Sequence, residues 1–293
     1  MRLLFYSQRC LVWLWATLVC AFNMTTKIAK VSNLALHVFR THSLRVANGG
    51  AVFPTVAAAA STCDDPEALK HLLANVAALT LHDVGLDSPF SLPPPNQLNA
   101  PVAYMHITEN EVFSMGMFIL RPGSRIPLHG HPGMFGVIRV MQGSMRCRSF
   151  TPLSHDESPT GASSPPSGSS KDCGGTAVMW RLAATSDLTV AEPHADRLLG
   201  ASDRLPCLLT PCTGNLHELT AVEGTVVFID ILSPPYDHDL GTRECLFYRE
   251  IDLPTSSELA SQTQGSSRVY LTEINQPGDY WCELLPYHGP PIS

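Results

Sequence analysis

Two histidines one residue apart, held between glycines, constrain this chain more than any other feature. They stand in Gly123-Ser-Arg-Ile-Pro-Leu-His129-Gly-His131-Pro-Gly-Met-Phe135-Gly136, and Gly143 closes the stretch. In a strand, successive side chains alternate faces, so His129 and His131 share one face. Gly123 and Gly143 fit tight turns at the strand ends. Pro127 and Pro132 flank the pair. Proline is tolerated at a sheet edge or an irregular strand mouth, where no ladder donor is needed. Imidazole suits iron, copper, nickel and zinc, so the pair points to a metal centre. The plainer alternative is two surface histidines beside a Gly/Pro loop, and the two glycines in register argue against it.

The spacing resembles the first cupin motif, in which a His-x-His pair and a glutamate lie between two glycines. One position departs from it. Where the motif carries its metal-binding Glu, this chain has Phe135 or Gly136. Loss of the carboxylate points to three neutral histidines and a redox metal. Pro211-Cys-Thr-Gly214-Asn-Leu-His217 resembles the second cupin motif and offers His217 as the third ligand. The fit there is looser, because the Pro-to-Gly spacing is longer by one residue and Ala221 stands where Asn is frequent. The remaining histidines are poorer candidates. His37, His42, His71 and His82 fall in an N-terminal helical region, His155 and His194 in polar loops, His238 after a Pro-Pro turn and His288 near the tail.

Composition limits the classes of function. The chain has 293 residues, 44% apolar and 15% charged, which suits a β-rich globular protein with a sizeable core. The net charge of −7 gives no basic stripe for nucleic acid. Nine scattered cysteines without a Cys-x2-Cys pair form neither a disulfide framework nor a zinc ribbon. They read as thiols of a reducing compartment, and a cytoplasmic location is expected. Residues 1–23 pull the other way: Arg2 and Arg9 precede an apolar run from Cys10 to Phe22 that is signal-like but short for a membrane span. The favoured reading makes 1–23 an upstream extension before Met24, and secretory entry is the alternative. No membrane partner is expected, and a monomer is.

Residues 24–101 read as N-terminal helices and a Pro-rich linker. A basic amphipathic helix follows Met24, and residues 40–63 look irregular and flexible. Asp65 offers an N-cap with Pro66 at the first helical position, ahead of Leu69, Leu72, Leu73, Val76 and Leu79 at helical spacing. Residues 87–101 form the linker. Residues 102–293 carry strands: Val102–Ile107, Val112–Leu120, Phe135–Met141, Met145–Phe150, Ala177–Leu182, Leu188–Ala191, Cys207–Leu209, Leu216–Ala221, Thr225–Leu232, Cys245–Ile251 and Val269–Ile274. Many short strands with Gly/Pro turns mean a sandwich or barrel. A Ser/Pro/Gly-rich insertion near 151–175 is expected to be disordered.

Four segments, two of them overlapping the motifs above, carry a specific resemblance: Ile126-Pro-Leu-His-Gly-His-Pro-Gly-Met134, Gly214-Asn-Leu-His-Glu-Leu-Thr-Ala-Val-Glu-Gly224, Phe228-Ile-Asp-Ile-Leu-Ser-Pro-Pro-Tyr-Asp237 and Tyr280-Trp-Cys-Glu-Leu-Leu-Pro-Tyr287. In this order they resemble the 2-aminoethanethiol (cysteamine) dioxygenase and plant cysteine oxidase family. The resemblance runs from Met24 to the C-terminus, with gaps at residues 40–63 and 151–175. It implies a mainly β, cupin-type double-stranded β-barrel (a jelly roll) with N-terminal helices. It also implies Fe(2+) held by His129, His131 and His217, and O2-dependent conversion of cysteamine or of a protein's N-terminal cysteine to the sulfinic acid. Three histidines leave iron positions for a thiolate, an amine and oxygen, and the sulfinic acid is a rung of the cysteine oxidation ladder.

Asp230 sits amid apolar neighbours, where a buried carboxylate needs a partner. Orienting a ligand histidine or the substrate amine would provide one, against a plain structural hydrogen bond. Tyr236 follows Pro234-Pro235, a rigid turn that could hold its hydroxyl over the site mouth, against a packed rim aromatic. By resemblance both belong near the iron. Cys245 matches a cysteine that crosslinks in some animal members to a tyrosine two residues later. Here that residue is Phe247, so ordinary packing is expected, with Tyr248 on the opposite face. A different cupin metalloenzyme, such as an isomerase or a carbon-oxidising dioxygenase, and a non-enzymatic cupin binding protein are the rival readings.

Overall fold

In the second half of Leu216–Ser233, odd and even residues are buried on opposite faces, and this double burial organises the protein. Val227, Ile229 and Ile231 belong to one apolar cluster, and Val226 and Phe228 to another. A strand covered on both faces reads as a continuous apolar run rather than an alternation, as Thr-Val-Val-Phe-Ile-Asp-Ile-Leu does here. The computed structural model describes residues 25–47, 65–153, 188–211, 213–237, 241, 243–251 and 268–292.

Two helices precede the strands: α1 (Lys27–Ala47) and α2 (Pro66–Ala77). Asp65 caps α2 as expected, its Oδ1 accepting from the Ala68 N–H at 2.8 Å. Residues 48–63 lie outside the described residues, and residues 40–47, expected to be irregular, belong to α1, which continues to Ala47. Neither Gly nor Pro occurs before Gly49 to stop it. A short 3₁₀ turn spans Leu81–Val84.

The strands are β1 (Val102–Glu109), β2 (Ser114–Leu120), β3 (Arg125–Gly130), β4 (Phe135–Pro152), β5 (Leu188–Pro193), β6 (Arg197–Gly200), β7 (Cys207–Leu209), β8 (Leu216–Ser233), β9 (Phe247–Ile251), β10 (Val269–Ile274) and β11 (Cys282–Leu284). Except for the parallel β1–β11 pair they run antiparallel. The ladder β8-β3-β9-β10-β5-β4 closes on itself through β4–β8 pairing. The result is a mainly β, double-stranded barrel of cupin type with N-terminal helices.

Several boundaries differ from expectation. The two strands expected on each side of Gly143 are one, β4, and those on each side of Gly224 are one, β8. Gly143 therefore lies inside a strand and not at its end. The two long strands pair along most of their length and bend together at register shifts between Val140 and Met145. The strand expected to carry His129 is β3, whereas β6 and β11 were not anticipated. β9 starts at Phe247, so Cys245 precedes it. The segment Ala177–Leu182, residues 1–23 and most of the 151–175 insertion lie outside the described residues, while Thr151 and Pro152 end β4.

The helices cover one outer face of the barrel. Ile28, Val31 and Val38 of α1 and Leu69, Leu72 and Val76 of α2 pack in one cluster with Met115, Met117, Ile119, Ile229 and Ile231. The Pro-rich stretch 87–101 is strapped to the barrel: the Phe90 N–H donates to Gln142 Oε1 at 2.7 Å, and Gln142 Nε2 donates back to the Phe90 carbonyl at 2.8 Å. Arg121 closes the same strap onto the carbonyls of Pro93, Leu98 and Ala100. Among the described residues no helix is long and apolar enough to cross a membrane.

Candidate metal centre

Register assembles the histidines. β3 and β8 pair with His129 opposite His217, so both side chains leave the same face of the sheet. His131 lies one residue past the end of β3 yet still converges on them, its ring centroid 4.8 Å from that of His129 and 4.9 Å from that of His217. The register breaks between Ile126 and His129, at Pro127, which has no ladder donor to lose.

Two of the three rings are held from behind. The Pro127 carbonyl can only accept, so His129 Nδ1, 2.8 Å away, carries its proton. The Tyr236 hydroxyl donates to the Gly130 carbonyl at 3.0 Å, leaving its oxygen to accept from His131 Nδ1–H at 2.7 Å. Both bonds place the ring proton on Nδ1 and turn the Nε2 lone pair inward. His217 Nδ1 is buried without a partner. His217 Nε2 lies 3.0 Å from His131 Nε2 and 3.2 Å from His129 Nε2. Burial lowers the pKa of all three, His129 to about 4.

Three neutral imidazoles aim lone pairs at one point with too few protons to satisfy one another. A cation completes such a set. Spacings near 3 Å also match adjacent ligands with metal–nitrogen bonds of about 2.0–2.1 Å. Among the described residues this is the one His/Cys/Asp/Glu cluster that could hold a metal ion, with all ligand atoms within 4.8 Å of one another. No carboxylate belongs to it.

Asp230, on β8, lines the same cavity of about 80 Å³, with Phe118, Phe247 and Tyr280 among its walls. Asp230, Phe118, Leu232 and Tyr236 also border a wider cleft of about 520 Å³. Asp230 thus stands at the neck between them. Its Oδ1 is buried without a partner, and burial raises its pKa to about 7, helped by the nearby Cys207. No hydrogen bond joins it to a ligand histidine. Tyr236 and the Pro127 carbonyl hold those rings instead.

The Tyr236 hydroxyl also contacts the Cys245 thiol, and burial pushes both groups up in pKa. Phe247 packs 6.4 Å from the His129 ring. Tyr248 lies across the strand against Gly130 and Leu216, on the opposite face as expected.

Asn215 was missed as a supporting residue. It is buried, donates from Nδ2 to the carbonyls of Met134 and Thr210, and accepts the His131 N–H through both Oδ1 and its carbonyl at 3.3 Å. It therefore clamps the turn that carries His131. Its signal was its position two residues before His217.

Residues 76–292 match the PCO_ADO family. The 2-aminoethanethiol dioxygenase of Mus musculus is 34% identical over 272 residues, covering 92% of this chain and 98% of its own length. That of Homo sapiens is 36% identical over 225 residues, covering 76% and 80%. Plant cysteine oxidase 1 of Arabidopsis thaliana is 30% identical over 226 residues, covering 72% and 67%. Among solved structures, an rmlc-like cupin protein from Desulfovibrio desulfuricans aligns with a TM-score of 0.27 at 15% identity, covering 51% of this chain and 94% of that one. The isomerase and binding-protein readings fall away. The chain, which brings three histidines together without a carboxylate and is matched over 72% to 92% of its length by 2-aminoethanethiol dioxygenases and a plant cysteine oxidase, belongs to the PCO_ADO family of thiol dioxygenases.

Proposed function

We propose that this protein is a non-haem iron(II) dioxygenase that uses O2 to convert an aminothiol, cysteamine or the N-terminal cysteine of a peptide, to its sulfinic acid. The observation that carries this reading is the set of three buried, neutral imidazoles with no carboxylate among them. Ferrous iron held by His129, His131 and His217 would supply the redox chemistry that adds two oxygen atoms to sulfur.

The chain's own residues do the rest. His129 and His131 are locked as Nε2 donors by Pro127 and Tyr236. Asp230 presents an unpartnered Oδ1 at the neck of the cavity, where a substrate ammonium would pair with it and favour its ionised form. Phe118, Phe228 and Phe247 line the cavity and exclude water from the reacting sulfur. The inner space fits an aminothiol head group, and the outer cleft leaves room for residues that follow an N-terminal cysteine. A reducing, cytoplasmic setting is part of the same proposal, and the four free cysteines among the described residues are consistent with it.

The test is anaerobic loading with ferrous iron, then exposure to O2 with cysteamine or a peptide beginning with Cys. Mass spectrometry should show one substrate or both gaining two oxygen atoms, with zinc-loaded protein inactive. Unchanged thiols in the presence of bound iron would overturn the reading.

A further inference from the structure

Two cysteines outside the cavity face each other in the barrel wall. Cys147 lies on β4 and Cys207 on β7, both in the apolar cluster that includes Met145, Leu199, Leu209 and Leu219. They are 2% and 6% exposed, and each is a free thiol. Their sulfurs are hydrogen-bonded to one another. Arg197 Nη1, from the edge strand β6, donates to Cys207 Sγ at 3.4 Å. β6 pairs with β4 so that Arg197 stands directly opposite Cys147. A guanidinium and a second thiol thus converge on one sulfur.

We propose that Cys147 and Cys207 form a redox-active dithiol, which a hydroperoxide oxidises to a disulfide tying β4 to β7. A buried cysteine in apolar surroundings is ordinarily inert, and the surroundings of Cys207 differ from that case. The hydrogen bond from Cys147 lowers the Cys207 pKa, burial opposes it, and Arg197 adds to the lowering. Cys147 is pushed up by the same bond. Because the Arg197 guanidinium is on Cys207 Sγ, Cys207 is the nucleophile and Cys147 the resolving thiol.

The Cys207 thiolate attacks one peroxide oxygen. The O–O bond breaks, giving a sulfenic acid and, with one proton, water or an alcohol. The Cys147 thiol then attacks the sulfenic sulfur. The S–S bond forms and a second water leaves with the Cys147 proton. Two thiols lose two electrons in all, and the peroxide gains them. The reagent reaches the pair by local opening of β6 and β7, strands of four and three residues at the limits of the sheet.

The disulfide would form close to the reaction site without belonging to it. Cys207 pairs with Ile138, and Ile138 pairs with Asp230. The three side chains therefore lie in one row across β7, β4 and β8.

The test uses the full chain, loaded with zinc in place of ferrous iron so that iron and peroxide generate no radicals. It is treated with hydrogen peroxide, alkylated and digested without reductant. The expected product is one linked peptide pair, Cys147 to Cys207, lighter by two hydrogens and restored by dithiothreitol. It should appear before Cys282 loses its ability to alkylate, although that residue is exposed at the surface, because its surroundings raise rather than lower the thiol pKa. Cys147→Ser should leave a Cys207 sulfenic acid that a 1,3-dione traps, and Arg197→Gln should slow disulfide formation severalfold. Cys207 passing to sulfinic acid beside an intact Cys147 thiol would overturn the proposal. So would both thiols surviving while Cys282 oxidises. The wild-type peptide map decides the matter even where a variant does not fold.

Discussion

Tyr236 does two things with one oxygen: it accepts from His131 Nδ1 and donates to the Gly130 carbonyl. Tyr236→Phe keeps the ring and removes both bonds. Ferrous affinity should fall by about 10- to 100-fold, the usual scale for losing a histidine's outer partner. Anaerobic titration measures it, and unchanged affinity would show that the ring orients itself by packing alone. Asp230 poses a question of charge. Its folded pKa, about 7, stands above the ordinary 3.8, so the folded state binds the proton more tightly than the unfolded chain. Stability is then greatest below the ordinary pKa, falls between those two values as pH rises, and levels above the higher one, at a cost on the order of 4 kcal/mol. Metal-free Asp230→Asn should be more stable than wild type near pH 8 and not near pH 4, while turnover of the iron-loaded form drops by about 10- to 100-fold. Parallel stability curves for the two proteins would refute the buried-acid account. The three ligands were legible because strand alternation and glycine spacing are local. The Tyr236 hydroxyl on His131 was not, because a turn of uncertain path separates them from any local rule. Asp230 was legible as a buried acid, whereas its place at the neck of the cavity depends on how β2, β4 and β8 close around it.

At the scale of elements, the long antiparallel partners β4 and β8 carry the barrel. Gly143 and Gly224 interrupt apolar runs in the way that turns do, which is why each strand reads as two. Both take positive φ, 73° and 66°, yet their settings differ. A Cβ on Gly143 would stand 2.7 Å from the Thr225 carbonyl oxygen and 2.8 Å from that of Glu223, whereas one on Gly224 would meet nothing within 4 Å. The bend needs the close approach of two backbones at Gly143 and only the dihedral at Gly224. Gly143→Ala should therefore destabilise by about 1–3 kcal/mol, and Gly224→Ala by less, with activity per folded molecule little changed in either. Denaturant unfolding ranks the two, and equal losses would mean that backbone approach adds nothing to the dihedral strain. The strands that went unread, β6 and β11, are four and three residues long and partly exposed. Runs so short hold no full period from which to recognise a strand.

At the scale of the molecule, the helices on one face and the cavity on the other share a single sheet. Met115, Met117, Ile229 and Ile231 face the helices, while Phe118, Phe228 and Asp230 face the site. An open approach runs through the wider cleft, past Tyr104, His106 and Glu109 on β1 and Leu284 on β11. A substrate arriving this way meets Asp230 before it meets the histidines. Its amine must be free, charged and next to the thiol if it is to pair with Asp230 while the sulfur reaches the metal. A peptide beginning with Cys should therefore be oxidised, and its tail should lie in the cleft. The same peptide N-acetylated should not react, nor should one with that Cys made internal, because acetylation removes the charge and an internal position puts backbone where the neck is narrow. Asp230→Asn should raise KM for the free peptide and leave the blocked one unreactive. Competition mass spectrometry of an equimolar mixture measures the discrimination in one vessel. Equal oxidation of free and blocked peptides would mean that the thiol alone is recognised, and would remove Asp230 from substrate binding.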